Sequence, residues 1–204
     1  MSGTRTAQAL RAHPVTMAVT GVTALVGAAQ FVFPAVLDEL RRNPVRQHTG
    51  QWWRVAMPLL VQSSGWSQYL FNIAGSILVG VAVERHYGGG RWLAIYATAG
   101  LAGQMMAYVW QPASTGAGSS DAVAGLIGAL AVSLWSARQL PWWPSYLYAA
   151  YFASYLTGLD AAGPLAGTLA GTATAAAVMT IRRPSIRSSC GCCSPQASSP
   201  PPWP

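Results

Sequence analysis

Lysine is absent from the 204 residues, and the five acidic side chains face twelve arginines. Charged residues make up 8% of the chain, where a soluble domain carries about 25%. A water-exposed surface cannot be built from so few charges, so an ordinary soluble domain is excluded. Cysteine is confined to Cys190, Cys192 and Cys193 in one "CGCC" stretch. No disulfide can therefore brace the apolar part of the chain, and a reduced, exposed tail is expected there rather than a metal site. Histidine occurs three times, at His13, His48 and His86. The formal charge of +7 comes from arginines placed singly or in pairs between apolar runs. They form no basic stripe of the kind a phosphate backbone needs, so nucleic acid is not expected as a partner.

What is abundant is apolar and small. Hydrophobic residues are 52% of the chain, glycine occurs 21 times and mean hydropathy is +0.31. Six apolar runs stand out, roughly 14–37, 64–83, 91–110, 119–136, 141–158 and 161–181. Each approaches the ~20 residues needed to cross a ~30 Å hydrocarbon core, the fifth being the shortest. The first follows "RTAQALRAH" but is too long for the apolar core of a signal peptide, and a retained helix is expected. Placing the N-terminus inside assigns eight arginines to inner segments and four to outer ones, which predicts both termini in the cytoplasm. The four outer arginines, Arg41, Arg42, Arg46 and Arg54, share one segment, so residues 38–57 are expected to have structure of their own. Its paired tryptophans in "TGQWWRVAMP" suit a bilayer interface. Glycine and alanine recur every three or four residues in "AGSILVG", "ATAGLAG" and "GPLAGTLAGTATA", a spacing that lets helices pack closely. The chain thus divides into an N-terminal arm (1–13), a six-span all-α bundle (14–181) and a disordered Ser/Pro/Cys-rich tail (182–204).

Four stretches together resemble the rhomboid family of intramembrane serine proteases. "GQWWRVAMPLL" is similar to that family's Trp-Arg signature, carried here by Trp53 and Arg54. "SQYLFNIAGSILVGVAVERHYGG" is similar to its second helix, with Asn72, Gly80, Glu84 and Gly88. "GSSDAVAGLIG" resembles the motif that opens its fourth helix, and "LDAAGPLAGTLAG" resembles its sixth. The resemblance covers about 50–175 and implies a six-helix rhomboid fold in a cytoplasmic membrane. The lysine-free composition, rich in alanine, glycine and arginine, suits a bacterial source. The resemblance implies that Ser120 stands at the nucleophile position, with Gly118, Asn72 and Gln68 in the oxyanion region. Gly167 and Gly171 match the glycines three and seven residues after the family's general base, so the base position falls on Pro164.

A serine hydroxyl is a weak nucleophile unless a neighbouring group takes its proton. Imidazole does this near neutrality, whereas a proline ring has no titratable group. Asp121 where the family has glycine, Ala124 where it has a bulky aromatic, and Gln68 where it has histidine depart in the same direction. A plainer reading of "SSD" is a helix start, with a serine oxygen on free amides and the aspartate at the positive end of the dipole. Glu84 and Asp160 read as caps or membrane-edge ion pairs, and Asn72 as a helix-to-helix hydrogen bond. The expectation is a membrane protein without protease activity, needing no cofactor, that binds transmembrane helices of client proteins. An active endopeptidase using Ser120 is the alternative. A small-solute transporter fits less well, for want of interrupted helices.

Overall fold

The computed structural model describes residues 12–136 and 162–181. The run at 141–158, Arg138, Asp160, the N-terminal arm up to residue 11 and the cysteine tail lie outside the described residues. The long helices are α1 (Pro14–Val32), α4 (Gly65–Tyr87), α5 (Gly89–Trp110), α6 (Ser120–Ser136) and α7 (Ala162–Ile181). Between α1 and α4 lie two short helices, α2 (Pro34–Leu40) and α3 (Pro44–His48), and two 3-10 turns, Trp52–Val55 and Met57–Leu60.

Proline sets three of these starts. Pro14, Pro34 and Pro44 each open a helix, where the missing N–H has no partner to lose. Pro34 also corrects the first expected run: 14–37 is one apolar stretch, but α1 ends at Val32 because a helix interior does not accommodate that ring. Asn43 caps α3 by accepting the Arg46 amide at 3.2 Å. Between α4 and α5 the chain turns on Gly88 alone, at φ +81°, a conformation that favours glycine.

Helix α6 occupies the centre. Every residue from Ala117 to Leu130 is buried, as expected of a helix that is apolar all round. Helix α7 packs directly on it, with Gly171 against the backbone of Gly125 and Gly128 against Thr168 and Thr172. Val79, Val83, Trp92, Ile95, Val123 and Leu126 fill the core between α4, α5 and α6. Helix α1 leans on α4, where Gly27 meets the Tyr69 ring and the Tyr69 hydroxyl donates to the Ala24 carbonyl at 3.0 Å. Phe31 stacks on Trp66 with ring centres 3.9 Å apart.

The distribution of polarity is inverted relative to a soluble protein. Leu25, Val32, Leu78, Val109, Trp110 and Leu169 are exposed, while Thr16, Gln30, Gln62, Asn72, Gln104 and Asp121 are buried. By length and composition, α1 and α4 are each able to cross a membrane, and Ser120–Trp135 is a shorter apolar helix.

Candidate functional site

The site is built where the starts of α4 and α6 meet. Ser119 precedes α6 and its carbonyl accepts the Val123 amide at 3.0 Å, so Ser120 is the first helical residue. Ser120 is buried, as is Ser119. The Ser119 hydroxyl accepts from the Gln62 side chain at 3.3 Å, and the Gln62 Oε1 accepts from Asn72 Nδ2 at 2.7 Å. Gln62 is itself fixed through its backbone, which exchanges two hydrogen bonds with the Gln30 side chain at 2.8 and 2.9 Å. One glutamine thus couples α1, α4 and α6.

The three groups that the resemblance assigns to an oxyanion region lie in this cluster, and each gives one N–H to a protein oxygen. Asn72 donates to Gln62 as above. Gln68 accepts the Ser64 amide at 2.8 Å and donates to the Ala117 carbonyl at 3.4 Å. The Gly118 amide donates to the Pro58 carbonyl at 3.0 Å. A Cβ at Gly118 would stand 2.5 Å from Gln68 Nε2 and would push that side chain aside.

On the other side of Ser120, α7 meets the first turn of α6. A Cβ on Gly163 would lie 3.0 Å from Asp121 Oδ1, and Gly167 rests on the Asp121 backbone. Pro164 falls between these two glycines, buried, in the first turn of α7, where proline is tolerated. Its carbonyl accepts the Thr168 hydroxyl at 2.8 Å. The Asp121 carboxylate accepts from Gln104 Nε2 at 3.0 Å and occupies room left by Gly103 on α5. It is therefore directed into the α5–α7 groove, about 100° around the helix from Ser120.

The histidines lie elsewhere. His48 Nε2 is 2.8 Å from the Tyr108 hydroxyl, at an exposed position. His86 stands fourteen residues beyond Asn72, about 21 Å along α4, with its ring against Tyr87. His13 adjoins the start of α1, which Glu84 ties to that same far end of α4.

The remaining motif residues lie outside the hydrogen-bonded cluster around Gln62. Glu84 accepts the backbone amides of Val15 at 3.1 Å and Thr16 at 2.7 Å, capping α1 across the bundle. Arg54 is fully buried and donates to the carbonyls of Asp38 and Arg41, to Gln51 and to Glu39, at 2.6–3.1 Å. That guanidinium gathers residues 38–54 into one unit. Arg42 then ties the unit to the approach to α6, by a backbone bond to Gly116 at 2.8 Å and a side-chain bond to Ser114 at 3.0 Å. Trp53 is half exposed, and Gly167 and Gly171 seat α7 on α6.

Sequence reasoning brought Ser120, Gly118, Asn72 and Gln68 to one place and missed Gln62, Gln30, Gln104 and Ser119. The available signal was a glutamine within an apolar run, in "LLVQSS" and "LAGQMM", since a buried amide must be partnered.

Residues 49–181 match the Rhomboid domain family. The chain is 40% identical over 91 residues to a protein named rhomboid protease GluP of Bacillus subtilis (strain 168), covering 45% of this chain and 18% of that one. It is 32% identical over 125 residues to a putative rhomboid protease, YdcA, of the same organism, covering 58% and 62% respectively. Rhomboid protease AarA of Providencia stuartii is 30% identical over 90 residues, covering 40% of this chain and 32% of AarA. The chain therefore spans less than two thirds of the length of each of these relatives.

Proposed function

The chain belongs to the rhomboid family of membrane proteins, and on that premise we propose that it is a non-proteolytic member that binds transmembrane segments of client proteins. One observation carries this reading: Pro164 occupies the turn of α7 that abuts the start of α6, and its side chain accepts no proton. A proline ring at that position cannot take the proton that a reactive serine gives up. The Gly118 amide supports the same reading, since its single N–H goes to the Pro58 carbonyl and a developing oxyanion needs donors already aimed at it.

In this reading the bundle has six spans and sits in a bacterial cytoplasmic membrane with both termini inside. Its clients are helices with polar or unstable stretches, which gain partners among the buried glutamines and serines at the outer end of α4 and α6. The Trp52–Trp53 turn lies at the membrane interface beside the entrance.

A second reading has a specific observation in its favour. Three relatives carry protease names, and Ser120 is retained at the start of α6. An active serine endopeptidase would then require a proton acceptor other than residue 164. The two separate on purified protein in liposomes, mixed with a single-span substrate whose helix carries a glycine-proline break. The binding reading predicts crosslinking of the substrate without cleavage. Cleavage that disappears in Ser120→Ala would overturn it.

A further inference from the structure

Three threonines on α1, Thr16, Thr20 and Thr23, are buried to 0%, 4% and 2% exposure. Their spacing of four and three places them on one stripe. A helical threonine in a dry interior can satisfy its hydroxyl on a carbonyl three or four residues back. Thr98, Thr168, Thr172, Thr174 and Thr180 do this at 2.7–2.8 Å. The three on α1 do not, and their hydroxyls meet no hydrogen-bond partner among the described residues.

Other buried groups without partners lie along the same line. The indole N–H of Trp92, on a ring with no exposure, has none. It and the Thr16 hydroxyl both face Gly80, where a Cβ would be 3.3 and 3.4 Å from them. Further along, the Tyr96 hydroxyl neighbours both Thr23 and Ser119. Ser119 leads through Gln62 to Asn72, whose Oδ1 is again unpartnered. The line thus runs from the start of α1 to the polar cluster beside Ser120.

These groups differ in what they need. Trp92 only donates, Asn72 Oδ1 only accepts, and threonine does either. The ligand that satisfies all of them both donates and accepts and is small enough to fit among packed side chains. Water does so, and buried water is the usual partner of otherwise unsatisfied interior groups. A cation would find no carboxylate here, since Glu84 is committed to the α1 amides.

We propose that the seam between α1 and the α4–α5 pair holds a file of ordered water molecules bound by Thr16, Thr20, Thr23 and the Trp92 indole. Thr16 to Thr23 is about 10 Å at 1.5 Å per residue, a length filled by about three waters at hydrogen-bonding spacing. This bound water does not depend on whether Ser120 is reactive.

The test uses the full chain, labelled with ¹⁵N-tryptophan and reconstituted in lipid bilayers. The Trp92 indole signal, assigned by its loss in Trp92→Phe, is expected to receive magnetisation from water despite full burial. The second measurement is the thermal midpoint of Thr20→Val, and of Thr16→Val/Thr20→Val/Thr23→Val where that variant folds. A hydroxyl bound to water is missed when replaced by an isosteric methyl, so the midpoint falls. A hydroxyl stranded in a dry core is better removed, so the midpoint rises. Water transfer with a lowered midpoint for Thr20→Val bears the proposal out. Absent transfer, or a midpoint unchanged or raised, overturns it.

Discussion

Asn72 donates one of its two side-chain N–H groups to Gln62 Oε1 at 2.7 Å, which ties α4 to the segment just before it. Gln62 in turn holds Ser119 and the side chain of Gln30. Gln62→Leu removes the partner of two buried side chains while leaving the backbone bonds to Gln30 in place. Each stranded buried group costs about 1–3 kcal/mol. The expected result is a loss of about 2–4 kcal/mol in unfolding free energy in detergent. A loss below about 0.5 kcal/mol would mean that the cluster is not the brace described.

Restoring the imidazole is expected to be insufficient. Pro164→His supplies a base, yet Gln68 still stands where the family has histidine and Ala124 offers no ring for the imidazole to pack against. The single variant should show no Ser120-dependent cleavage of a single-span substrate above background. Measurable turnover would show that the departures at 68 and 124 matter little.

Glu84 holds the first turn of α1 from 68 and 69 residues away. Glu84→Ala removes an acceptor from two backbone amides and a negative charge from the positive end of the helix. Cap loss costs about 0.5–2 kcal/mol, with the charge adding to it. Hydrogen exchange at Val15 and Thr16 should accelerate about tenfold or more, with little change near Gly125. Uniform acceleration along the chain would instead point to global loosening.

The α6–α7 seam predicts a contrast among glycines. At Gly171 a Cβ would run into the backbone of Gly125, whereas Gly21 and Gly90 have nothing within 4 Å. Gly171→Ala should cost at least about 1–3 kcal/mol, because backbone cannot yield as a side chain does. Gly21→Ala and Gly90→Ala should be neutral or slightly stabilising. Thermal midpoints of the three variants check the ordering.

Arg54→Lys is not conservative at this position. The guanidinium reaches four separate acceptors from a fully buried position, a fork that an ammonium cannot reproduce. Limited proteolysis should then nick residues 38–57 while α4 to α6 stay intact, at a cost of about 3 kcal/mol.

The long helices were legible because apolar runs and their proline and glycine boundaries are local. Runs drawn at 64–83, 91–110, 119–136 and 161–181 became helices over 65–87, 89–110, 120–136 and 162–181. The break at Pro34 was readable in principle, but hydropathy alone carried the first run past it. The neighbourhood of Ser120 was partly legible, since Gly118, Asn72 and Gln68 stand in ordered motifs. What joins them was not. Gln62 has no motif around it, and the Glu84–Thr16 bond spans a separation that periodicity does not encode. Asp121 read as a residue for the helix dipole, and the room made for it by Gly103, Gly163 and Gly167 emerges only when three helices are assembled.

The account rests on an unactivated hydroxyl at Ser120, and the most direct probe is covalent. The purified chain in bilayers is incubated with a serine-directed fluorophosphonate and Ser120 is followed by intact-mass and peptide analysis, with Ser120→Ala as the reference. No adduct above that reference is predicted. A stoichiometric adduct on Ser120 would contradict the account.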